Sequence, residues 1–150
     1  MAGFDQRVRM RSVEDYLVAA HGSARTLTID ELDVIDRHAS AVVESIEDAW
    51  PVDTSTSRDA FFHVLLDDPE IGYVVSNDAD YAEWVHPKGD PVPLLDTLVP
   101  DTIEADVPAL AAELRLAIDA TERRAAENAR RGGRGFLDIV SRRFGAGRAA

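Results

Sequence analysis

Apolar residues first recur in steps of three and four. Val13, Tyr16, Leu17 and Ala20 share a face over residues 12–20, and Gly22 stands where a helix ends. Thr28 and Glu31 form a capping-box pattern, followed by Leu32, Ile35, Ala39, Val42, Ile46 and Ala49 up to Trp50 and Pro51. That spacing predicts a long helix with one face seeking cover. The spacing then changes. Residues 60–66 and 71–76 are rich in Phe, Val, Leu, Ile and Tyr, and Asp67, Asp68, Pro69 and Glu70 supply turn chemistry between them, which predicts a β-hairpin. Asn77, Asp78 and Asp80 suit the cap of a short helical turn through Tyr81, Ala82, Trp84 and Val85. Four prolines over residues 86–101 predict an extended loop at the surface. A second long helix, expected from Asp106 with Pro108 in its first turn, carries Ile103, Val107, Leu110, Leu114, Ala117 and Thr121 on one face. Residues 130–135, Arg-Arg-Gly-Gly-Arg-Gly, predict a hinge, and beyond it Phe136, Ile139, Val140 and Phe144 share an amphipathic arm.

The expectation is an α+β fold: two long amphipathic helices packed on a small antiparallel sheet, with flexible N- and C-terminal arms. Residues 1–25 form an arm with a short helix, 26–128 the core, and 129–150 the basic hinge and C-terminal arm. Further strands are expected from residues 86–100 or from the N-terminus.

A chain of 150 residues with 45% hydrophobic content fits one domain with an adequate core. Zero cysteines exclude disulfides and thiolate metal sites. No stretch reaches the roughly 18 apolar residues of a membrane span, and the N-terminus lacks a signal-peptide pattern. The expectation is therefore neither a membrane nor a secreted protein.

Charge changes the picture, because the net value of −12 is unevenly spread. Residues 26–120 hold 22 acids against Arg37, Arg58, Lys88 and Arg115, whereas residues 121–150 hold eight arginines against three acids. A body this acidic repels phosphate backbones, which leaves the C-terminal segment as the part suited to a polyanion or an acidic neighbour. Lys88 is the only lysine beside 15 arginines. Coding bias explains this, and adaptation to high salt is the alternative, since screening relieves the self-repulsion of an acidic surface.

Candidate chemistry is sparse. His21, His38, His63 and His86 stand far apart, with no pair at helical ligand spacing. His38 falls on the polar side of its helix, and His63 alternates with the Phe62 and Val64 face of its strand. No nucleophile elbow or phosphate-binding glycine loop follows a strand. The carboxylates Asp67, Asp68, Glu70, Asp78 and Asp80 fit turns and caps, and they lack the register of a calcium loop. No catalytic residue, cofactor or metal is expected.

Two strings remain. Trp50-Pro51-Val52-Asp53-Thr54-Ser55-Thr56-Ser57-Arg58-Asp59-Ala60-Phe61 resembles the helix exit of the small tail-component proteins of long-tailed phages, and Tyr81-Ala82-Glu83-Trp84-Val85-His86 resembles their segment after the hairpin. The family includes the minor tail protein Z type and the neck or tail-completion proteins of the head-tail joint. The resemblance spans about residues 28–120. Ser55 stands where the family has Gly, and His86-Pro87-Lys88-Gly89 where it has acidic-x-Gly-Thr.

The resemblance implies a non-enzymatic virion structural protein of the neck or tail, assembled in the host cytoplasm. It would be a ring-forming head-tail connector or tail-terminator subunit, hexameric, contacting neighbouring connector and tail tube proteins. The genome would pass through an acidic bore without specific binding. Asp53, Thr54, Arg58, Tyr81 and Trp84 are then the interface motif. Each also has a local reading, with Asp53 and Thr54 fixing a turn, Arg58 pairing with a nearby carboxylate, and Tyr81 and Trp84 packing in the core. The C-terminal arm at Phe136, Ile139, Val140 and Phe144 docks on its own chain or on a neighbour. The alternatives are an acidic DNA mimic or inhibitor that fills a basic groove and, less favoured, a hydrolase using the carboxylates of residues 67–80 with a metal.

Overall fold

The computed structural model describes residues 4–51, 55–67, 69–79, 82, 85 and 92–140, without the side chains of 55, 56 and 133–140. The chain divides into two compact units, Met1–Ala117 and Ile118–Ala150. Its elements are β1 (Phe4–Arg9), α1 (Arg11–His21), α2 (Ile29–Ala49), α3 (Ser55–Asp59), β2 (Phe61–Leu65), β3 (Gly72–Asn77) and α4 (Leu94–Val140). The class is α+β, with two long helices and an antiparallel three-stranded sheet in the order β1-β3-β2.

The hairpin forms as expected. Phe61 pairs with Asn77 and Leu65 with Tyr73, and Glu70 N–H closes the turn on the Asp67 carbonyl at 3.0 Å. Of the two segments expected to supply a further strand, the N-terminal one does so. Phe4 to Arg9 pair with Asn77 to Gly72, which makes β3 the central strand. Gly72 permits this close approach. Its φ is 147°, and a Cβ there would lie 1.8 Å from the Val8 carbonyl oxygen.

The first helix ends at Gly22, which takes the left-handed conformation (φ 84°) and donates its N–H to the Val18 carbonyl. Val13 and Leu17 are its buried face. In α2 the capping box is complete: Thr28 Oγ1 accepts from Glu31 N–H, while a Glu31 carboxylate oxygen accepts from Thr28 N–H. The buried stripe of α2 is Val34, Ile35, Ala39, Val42, Val43 and Ile46; Leu32 is half-buried and Ala49 exposed. This helix packs on β2 and β3.

The largest departure from expectation is the start of α4. Residues 94–100, expected as part of an extended loop, are helical, and Pro100 and Pro108 both lie inside the helix. An interior proline costs about 3 kcal/mol. Opposing it, Leu94, Leu95, Val99, Ile103, Leu110 and Leu114 are all buried, at about 1.5–3 kcal/mol per side chain. Burial outweighs the two prolines. Arg115 on α4 also lies 5.3 Å over the Tyr16 ring of α1.

In the second unit α4 continues to Val140, and the backbone stays helical through Arg130–Gly135, where glycines predict a hinge. Each glycine weakens a helix by only about 1 kcal/mol and removes no donor, so an established helix propagates through them. Arg131 reaches back one turn to Glu127 at 2.6 Å. No described helix is long and apolar enough to cross a membrane.

Candidate functional site

Strand alternation gives the sheet two unlike faces. On the inner face the rows are Phe4–Asn77–Phe61, Gln6–Val75–His63 and Val8–Tyr73–Leu65. Tyr73, Val75 and Asn77 are fully buried there. On the outer face the rows are Asp5–Ser76–Phe62 and Arg7–Val74–Val64, followed by Arg9 beside Gly72. This face is itself divided. The β1 third is charged and internally satisfied: Ser76 Oγ donates to Asp5 at 2.6 Å, Arg7 pairs with Glu70, and Arg9 grips Glu14 through two nitrogens. The Arg9 hydrogen bond, aided by Ile71 N–H, holds the Glu14 carboxyl below the usual carboxylate range. The β2–β3 part is apolar, with Phe62 39% and Val64 52% exposed.

Two buried polar junctions fix the ends of α2, and so the position of the sheet beneath it. At its start Glu31 is fully buried and receives both Arg25 nitrogens at 2.7 and 2.8 Å. Burial pushes this carboxyl upward, but the Arg25 and Thr28 hydrogen bonds outweigh it, and the net shift is downward. At the exit Trp50 Nε1–H donates to Ser57 Oγ at 2.8 Å, Asn77 Nδ2 donates to the Ser57 carbonyl at 2.5 Å, and Asn77 Oδ1 accepts from Ala79 N–H. Phe61 meets Trp50 edge to face at 4.9 Å. The described parts of the string, Trp50, Pro51 and residues 55–61, are thus helix exit, short helix and strand start, anchored by Trp50, Ser57 and Asn77. The Asn77 bond to Ala79 is the local capping expected of it, whereas its bond to Ser57, 20 positions away, has no signal in local pattern.

Of the expected interface motif, Arg58 is described: its Nε lies 3.4 Å from Asp59, the local pairing expected of it. Asp53, Thr54, Tyr81, Trp84 and Phe144 lie outside the described residues, as do the side chains of Phe136, Ile139 and Val140, whose backbone belongs to α4.

A charged cluster joins α2 to α4. His38, placed by periodicity on a polar side, is mostly covered, because Asp106 and Glu113 of α4 lie against its ring. Nδ1 is 2.9 Å from Asp106, Nε2 is 2.5 Å from Glu113, and Arg37 also reaches Glu113 at 2.7 Å. With a carboxylate at each nitrogen, the geometry suits the imidazolium. Burial pulls the His38 pKa down, but the bonds to Glu113 and Asp106 more than reverse this, and it is raised. Glu113 is held low by its hydrogen bonds from His38 and Arg37. The Tyr73 hydroxyl is buried with no hydrogen-bond partner among the described residues, and it is pushed up by burial and by the Asp106 charge. His63 Nε2 meets Asp36 of α2 at 2.7 Å.

The carboxylates around His38 diverge about its ring rather than converging on a point, and among the described residues no group of three His, Asp or Glu is placed to hold a metal ion. Asp67 and Asp78 are exposed, at opposite ends of the hairpin strands. An open groove of about 480 Å³ lies between Ala41, Val42 and Ser45 of α2 and Asp101, Thr102, Ala105 and Asp106 of α4. Its walls are small and acidic. No family model, curated protein or solved structure matches the chain.

Proposed function

We propose that the chain is a virion structural protein, a ring-forming subunit of the head-tail connector of a long-tailed virus. The observation that carries an assembly role is the outer sheet face, where Phe62 and Val64 are solvent-exposed in a body otherwise rich in surface acids. The connector identity rests on the two strings that resemble phage tail components. It is supported by the order of elements around the first string: α2, the short α3, then the β2–β3 hairpin. An acidic body suits a passage for DNA, since like charge keeps the polyanion hydrated and mobile. Quantitative mass spectrometry of purified virions tests the proposal. A fixed small copy number per particle is the expected result, and absence from particles overturns it.

An acidic inhibitor that fills a basic groove is the second reading. It draws on the exposed carboxylates of α2, namely Asp30, Asp33, Asp36, Glu44 and Asp48. Further exposed acids sit on α1, the hairpin turn and α4 (Asp15, Asp67, Asp96, Asp101 and Glu104). The charge is thus shared among elements rather than concentrated in one row, which favours the structural reading.

A further inference from the structure

We infer that the apolar half of the outer sheet face seats the C-terminal arm of a second copy of this chain, residues 134–144. This deepens the assembly reading and rests on it. The face has an apolar centre, Phe62, Val64 and the half-buried Val74, with acids beyond both ends. Asp59 and Asp78 flank the end where Phe61 pairs with Asn77, and Asp67 lies past Leu65 at the turn. Asp67 and Asp78 make no ion pair among the described residues. The arm carries the complementary order. Arg134 precedes Phe136, Ile139 and Val140, and Arg142 and Arg143 follow them.

The lengths also agree. In the apolar parts, Phe136 to Val140 spans about 6 Å as helix at 1.5 Å per residue, and Phe62 to Val64 about 7 Å as strand. The charged β1 side of the same face is already paired within the chain. The arm therefore lies along β2 and β3. Its arginines meet acids at each end, and its apolar residues cover Phe62 and Val64.

The chain has no cysteine, so single thiols report the contact cleanly. Full-length Val64→Cys and Ile139→Cys variants are mixed, allowed to assemble, and oxidised. The expected result is a disulfide-linked pair that requires both variants, with a severalfold lower yield when Arg142→Glu and Arg143→Glu are added to the Ile139→Cys chain. The Ser45→Cys variant, on the α2 groove, is expected to give no such pair with Ile139→Cys. Assembly without the Val64–Ile139 cross-link overturns the docking and leaves the ring proposal standing. Val64–Val64 linkage, or a cross-link confined within one doubly substituted chain at high dilution, also overturns it, by naming a different occupant. Failure of the chain to assemble at all, including on virions, overturns both.

Discussion

The inner and outer faces of the sheet are made from alternate residues of the same strands, yet they serve different ends. On β2, Phe61, His63 and Leu65 turn toward α2, where Phe61 is buried against Trp50 and His63 meets Asp36. Phe62 and Val64, one position away, face solvent. Apolar character alone therefore does not mark the core. Position in the two-residue repeat, and which face a helix covers, decides between packing and contact.

A carboxylate placed on each face in turn should separate the faces most sharply. Val75→Asp places a carboxylate at a fully buried position of the central strand, and a loss above about 4 kcal/mol is expected in denaturant unfolding. Val64→Asp, on the neighbouring strand, should change stability by no more than about 0.5 kcal/mol. Equal losses would abolish the distinction. Next in size is Ser57→Ala, which leaves the buried Trp50 Nε1–H without its acceptor and should cost about 1–3 kcal/mol. A loss near zero would show that the α2 exit is fixed by the Trp50–Phe61 contact alone.

The α2–α4 clamp supplies a pH test. His38 has a folded pKa above its ordinary value, so its stabilisation is complete below about pH 6.5, the unfolded value. It is lost as pH rises through the raised folded value. Glu14, Glu31 and Glu113 are held low, so their contributions are complete above about pH 4.5 and are lost as pH falls through their folded values. Stability should be greatest between these ranges, on the mildly acidic side of neutrality. His38→Gln should remove the decline on the alkaline side of the maximum while leaving the acid limb, as read by unfolding at a series of pH values. An unchanged alkaline limb would show that His38 does not fasten α4. The smallest effect is expected at Arg58→Ala, whose ion pair with Asp59 is local and partly exposed; a change under about 0.5 kcal/mol should appear in the same unfolding assay.

Much of this architecture is written in local patterns. Thr28 and Glu31 announce the start of α2, and the turn residues between two apolar runs announce the hairpin. Features that depend on distant partners are not legible in this way: His38 reads as a surface residue because Asp106 and Glu113 are 68 and 75 positions away. The early start of α4 is hidden by Pro100 and Pro108, since the burial that overrides them is tertiary. A further strand is expected from residues 86–100 or from the N-terminus, but β1 is not located within that choice, because its outward positions are Asp5, Arg7 and Arg9, and Phe4 and Val8 make too short an alternation to mark a strand. For Arg58 the local reading is legible, since its partner is the adjacent Asp59.

Sedimentation of the wild-type chain and of Val64→Asp across a range of concentrations tests the central claim most directly. The account predicts a wild-type assembly that Val64→Asp reduces to a monomer with unchanged melting temperature. An assembly that persists unaltered in Val64→Asp would contradict it.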